Sequence, residues 1–309
     1  MATTTTPGQI LLICLFMFST SVLTSKCQET APVIAPAIYV FGDSTVDAGN
    51  AYGGYPPAWN KTIADTIVLL IWLHEAALLG LPSAPPFRFS SDEQKSTSLT
   101  GFNYAFAGVG MLPETRNAYD AATVYWGFQD QITFFKETIN TNLAKNLDSQ
   151  HLSAHLSDSI FLISFATNDF QFNYLPPSSG SLSHLEPEAF AKLLLASMAS
   201  HLTTVNSMVL PYSVGLPNML TQLQANLSGA SFSNSDNFAF VADLKHNPSV
   251  YGITNTRAPC NVGLTHCNDE DQYLYYDNLH ITSRASRVFG YNCFNGTLCA
   301  PNIIKLVAK

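Results

Sequence analysis

The sequence predicts an α/β fold built on a mostly parallel sheet. Short apolar runs of strand character alternate along the chain with longer segments of helical spacing, the order expected of strand–helix units. Three of the strand-like runs stop in small or polar residues, at Ser44, Gly108 and Asn168, and strand ends of this kind form the ligand-binding rim of an open parallel sheet. The composition can fill the core of such a fold: 47% of the 309 residues are hydrophobic and 12% are charged, about half the usual charged fraction. No shift in composition marks a linker, so residues 33–309 are expected to form a single domain.

The elements follow in order. Ile10 to Phe18 is an apolar run trailed by small polar residues from Ser19 to Ser25. Its length suits the core of a secretory signal and is too short to span a bilayer, although no Lys or Arg precedes it. Residues 1–25 are therefore read as a cleaved leader, and the mature chain is expected to have no membrane span. Ala37 to Phe41 is the first strand. Thr62 to Leu79 is a buried helix, started by a capping-box-like Thr62 and Asp65 and stopped by Gly80-Leu81-Pro82. Phe102 to Gly110 is a short strand entering a glycine-rich turn. Ile132, Phe135 and Ile139 give Gln129 to Thr138 a helical period.

His151 and His155 lie four apart without the glutamate of a helical zinc site, so a solvated helix end is expected there. Ser159 to Phe165 reads as a buried strand. Pro187 opens a helix that closes near Thr204. Ser207 to Val214 could replace a strand, poorly because of its proline. Leu216 to Leu227 is a further helix, closed by Gly229. Tyr273, Tyr275 and Tyr276 have the alternation of a packing edge. Thr282 to Phe289 is the last helix, with Gly290 beyond its end.

Charge and cysteine usage narrow the partners and the compartment. A net charge of −8 without any basic stripe disfavours nucleic acid. Asn-x-Ser/Thr sequons at Asn60, Asn226 and Asn295 are candidate glycosylation sites for a secreted protein. Cys260 and Cys267, and Cys293 and Cys299, are spaced for local disulfides in an oxidising compartment, whereas a zinc site would need tighter Cys or His pairs. No metal or cofactor is expected.

The chemistry-bearing residues converge on one reaction. A serine hydroxyl is a weak nucleophile until a base takes its proton, and that base needs a third group to fix its tautomer. Ser44, His280 and Asp277 can fill those roles, the last two being three residues apart. An oxyanion needs donors already aimed at it. The backbone N–H groups of Ser44 and Gly108 and the Asn168 amide suit that task, with Asp169 read as a brace.

In this setting the blocks "FGDSTVDAGN", "GFNYAFAGVG", "ATND" and "DNLH" occur in order. The chain resembles the plant-type GDSL esterase/lipases of the SGNH hydrolase superfamily over most of residues 37 to 285. The resemblance implies a three-layer α/β/α, flavodoxin-like sandwich and hydrolysis of a lipid or other small carboxylic ester through an acyl-enzyme. It implies Ser44 as nucleophile, Asp277 and His280 completing a triad, and Gly108 and Asn168 as oxyanion donors. An extracellular location follows, in the cell wall or apoplast for a plant protein.

The chain also departs from that pattern. Thr45 stands where the family name has leucine, and Ala166 where a glycine is usual. The loop between Tyr55 and Asn60 is short, and after Thr204 a core strand and its turn are missing or replaced. A weak or inactive homologue that binds a lipid, ester or glycan is the alternative these departures raise.

Overall fold

Strand β1, Ile38–Gly42, is the centre of the sheet in the computed structural model, which describes residues 35–51, 78–115, 125–175, 182–209, 233–235, 237–262, 265–277 and 280–307. All five β1 residues are buried, as expected of a strand covered on both faces. β1 pairs in parallel with β2, Ile160–Ser164, in the register Ile38 to Ile160 through Gly42 to Ser164. Its other edge is hydrogen-bonded in parallel fashion to residues 100–106, from Ile38 N to Thr100 O (3.1 Å) through Phe106 N to Gly42 O (3.0 Å). The expected strand at Phe102 to Gly110 is thus extended chain beside β1. The α/β class follows from this parallel sheet with helices packed on it.

The alternation of β1 divides the core in two. Tyr39 and Phe41 face a cluster with Phe128, Ile132, Phe135, Phe190 and Leu194. Ile38 and Val40 face the other side, against Val46, Leu79, Ala105, Phe294 and Ile303. The Phe128–Thr138 helix buries Phe128, Gln131, Ile132, Phe135 and Thr138 on one stripe at three- and four-residue spacing, and Asp130 accepts the Gly127 N–H to start it. Pro187–Val209 covers the same face through Phe190, Leu194 and Met198.

Several expectations change. β2 is half-buried at all five positions, in place of the buried strand expected. Among the described residues it pairs only with β1. The Pro187 helix runs past Thr204 to Val209, so Ser207 to Val209 are helical, and the rest of the expected replacement strand lies outside the described residues. So do the Leu216 to Leu227 helix and all of Thr62 to Leu79 except its last two residues.

The helix expected to be the last spans Ser283–Asn295, with Thr282 as N-cap accepting from Ala285 N (3.3 Å), but a further short helix, Ile303–Val307, follows it. Gly290 lies buried inside it rather than ending it, because tight packing outweighs the weak helix propensity of glycine. The stop comes at Gly296, beside the Cys293–Cys299 disulfide. His155 is also not solvated as expected: its Nε2 sits 3.1 Å from the Tyr39 hydroxyl, while His151 stays at the surface on Asp148.

Candidate active site

The turn after β1 is held from three sides. Gln131, on the buried stripe of the Phe128–Thr138 helix, accepts from Gly42 N and donates to Gly42 O, both at 2.9 Å, as a neighbouring strand would. Asp43 N donates to Ser164 O (3.1 Å), which carries the β2 pairing one residue further. The buried Asp43 carboxylate accepts from Thr45 N (2.9 Å) and Thr45 Oγ1 (2.7 Å) on one oxygen. The Thr45 hydroxyl also meets Ser164 Oγ at 2.9 Å. Thr45 is therefore a structural brace of the turn. Ser44 is left at its tip, partly exposed.

A second turn brings in the expected base, His280. Tyr275 bridges Ile281 in antiparallel fashion, and Tyr276 N donates to His280 O (2.9 Å), which holds His280 beside the segment that carries Asp277. Asp277 accepts the His280 backbone N–H at 2.7 Å and lies 2.8 and 3.0 Å from His280 Nδ1 through its two oxygens. His280 Nε2 is 3.1 Å from Ser44 Oγ. A carboxylate at Nδ1 fixes the proton there, which leaves Nε2 free to accept from the serine hydroxyl. Asp277 clamps His280 in two ways and does not cap the following helix, a task that falls to Thr282.

The expected oxyanion donors are tied to the same framework. Gly108 has φ 82°, a left-handed value that favours glycine. Among the described residues no hydrogen bond engages the N–H of Ser44 or of Gly108. Asn168, buried, donates one amide hydrogen to Val109 O (2.8 Å), which leaves the second available. Asp169 is a brace as read: it accepts from Met111 N, Leu112 N and Thr115 Oγ1. Ala166, just ahead, has φ 108° and ψ −27°. For a residue with a Cβ such a conformation costs about 1–3 kcal/mol and persists only where neighbours hold it.

The pattern of one family matches residues 38–291, and it is described as GDSL-like lipase/acylhydrolase. The chain belongs to this family. Membership places this GDSL chain among carboxylic ester hydrolases. It is 28% identical to GDSL esterase/lipase 7 of Arabidopsis thaliana over 356 aligned positions, covering 92% of this chain and 94% of the relative. Two further Arabidopsis thaliana GDSL esterase/lipases match at 25% and 26% identity, covering 91% and 86% of this chain and 88% and 87% of theirs. The first alignment is longer than the chain's 309 residues, so the GDSL chain lacks segments that this relative has.

The remaining expected sites of the GDSL chain are placed as follows. Cys260 bonds to Cys267 and Cys293 to Cys299, with Cα atoms 4.9 and 4.5 Å apart. His266 lies near the first pair, but its sulfurs are in the disulfide and offer no thiolate to a metal. Asn295 is exposed at a helix end; Asn60 and Asn226 lie outside the described residues. The sequence reading missed Asp47, whose carboxylate gathers the N–H groups of Gly49, Asn50, Ala51 and Ala107. It also missed Asn50 and Asn103, which tie residues 46–51 to residues 103–105. These buried amides and the carboxylate sit in the quoted blocks, and their polarity inside apolar runs was the available signal.

Proposed function

We propose that the chain hydrolyses small carboxylic esters, of lipid or plant-metabolite type, through an acyl-enzyme on Ser44. The observation that carries this reading is the linked pair of contacts Ser44 Oγ to His280 Nε2 (3.1 Å) and His280 Nδ1 to Asp277 (2.8 Å). His280 takes the serine proton as the oxygen attacks the ester carbonyl, and Asp277 stabilises the imidazolium. The oxyanion is met by the N–H groups of Ser44 and Gly108 and by the free Asn168 amide hydrogen. His280 then gives its proton to the departing alcohol, and water attacks the acyl-enzyme by the reverse relay.

Secretion completes the proposal. The leader at residues 1–25, the two disulfides and the exposed Asn295 sequon support it. The alternative, a weak or inactive homologue that binds its ester or a glycan, draws on the half-buried β2 beneath the Asn168 loop. One experiment separates them. Purified protein should cleave a p-nitrophenyl ester and take up a fluorophosphonate label, and Ser44→Ala should abolish both. Labelling of Ser44→Ala at the wild-type extent would move the nucleophile elsewhere; no labelling of the wild type would favour the binder.

A further inference from the structure

Two buried side chains of one short turn, Thr167–Asp169, grip the same loop. Asn168 donates to Val109 O (2.8 Å), one residue past Gly108. Asp169 accepts from Met111 N (2.8 Å), Leu112 N (3.0 Å) and Thr115 Oγ1 (2.7 Å), and Thr115 Oγ1 in turn accepts from Asn173 Nδ2. The carboxylate reaches this position only because residue 110 is glycine: a Cβ there would lie 2.4 and 2.5 Å from the two Asp169 oxygens. The turn itself starts at Ala166, whose φ of 108° an alanine rarely adopts. Left to itself, Ala166 would relax toward negative φ, and the peptide carrying Asn168 would rotate with it.

We propose that Asp169 is a positioning residue: it latches the strained Ala166 turn so that the Asn168 amide stays aimed at the oxyanion. Strain at Ala166 and the hydrogen bonds of Asp169 oppose each other across two intervening residues. Asp169 touches no reacting atom; it acts through Asn168 and through the loop that follows Gly108. The departure from glycine at 166 thereby makes activity in this chain depend on the latch. The proposal rests on the role given to Asn168 above.

The test is a double-mutant cycle with p-nitrophenyl acetate on the full-length protein, following kcat and KM separately. Asp169→Asn should lower kcat with little change in KM, because the oxyanion donor acts on the charged intermediate. In an Ala166→Gly background, where no strain drives relaxation, the same change should cost less in kcat, by about fivefold or more. Ala166→Gly alone should raise the melting temperature. If Asp169→Asn does not fold, Thr115→Val removes one of the three bonds and enters the same cycle. Multiplicative losses, or a loss confined to KM, overturn the latch. An Asn168→Ala control that keeps full kcat instead overturns the oxyanion reading itself, which keeps the two failures distinct.

Discussion

Asp47 Oδ2 accepts the Ala107 N–H at 2.9 Å, so the loop that carries Ser44 holds the turn that presents Gly108. Two segments sixty residues apart are joined through one buried carboxylate whose other contacts, to Gly49, Asn50 and Ala51, are all within its own loop. Ser44, the proposed nucleophile, and Gly108, an expected oxyanion donor, are thus linked through this carboxylate, beside the Asn50 and Asn103 amides that tie the same two segments.

Removing that anchor should separate the two. Asp47→Ala is expected to lower kcat on p-nitrophenyl esters by about 100-fold, since a misplacement of roughly 1 Å has that effect. It should also lower the melting temperature, because four N–H groups lose a buried acceptor. A variant of normal stability and unchanged kcat would show that Gly108 is set by other contacts.

Asn168→Ala removes the proposed oxyanion donor while leaving the Ser44–His280 contact alone. Loss of one such donor costs about 10²–10³ in kcat in other hydrolases. Binding of the neutral ester should change little. Steady-state kinetics decide the point: kcat/KM within a factor of a few of wild type would reduce Asn168 to a turn residue.

Asp43 gives a stability prediction with a definite sign. One of its oxygens takes both Thr45 bonds, and the other has no partner among the described residues. Burial pushes its carboxyl up from 3.8 to about 6, against the Thr45 bonds, which pull it down. The folded protein therefore holds this proton more tightly than the unfolded chain. The stability it contributes is complete below about pH 4 and is lost as pH rises through about 6. Asp43→Asn, neutral throughout, should be more stable than wild type above about pH 6, by on the order of 1–3 kcal/mol. Denaturant melts at about pH 4 and about pH 7.5 test this; an equal difference at both would remove Asp43 from the pH dependence.

What the sequence made legible was local. Asp277 and His280 are three residues apart, and spacing alone brings them together. Ser44 and Asn168 stand at the ends of β1 and β2, where apolar runs stop. The non-local braces could not be read that way: Gln131 reaches Gly42 across 89 residues, and Asp47 reaches Ala107 across 60. Gly290 misled because a glycine signals a stop only where packing does not claim it. The departure at Ala166 was visible as a missing glycine, but its backbone angle needed the structure. β2 misled for a related reason, since an apolar strand looks the same in sequence whether one edge is paired or both.

That edge carries the last prediction. β2 is half-buried throughout and, among the described residues, pairs only with β1, yet it ends at Ser164, two residues before Ala166 and four before Asn168. A strand paired on one side exchanges its amides and shifts more readily than one paired on both. The residues it delivers to the site are those whose placement matters most to an oxyanion. Turnover should therefore be weak, confined to short activated esters, and slow on long-chain triglycerides. Insertion after Val209 of a strand and turn taken from a longer Arabidopsis thaliana relative should raise melting temperature and kcat together. A wild-type chain that already equals that relative in both would mean that β2 is firmly held as it stands.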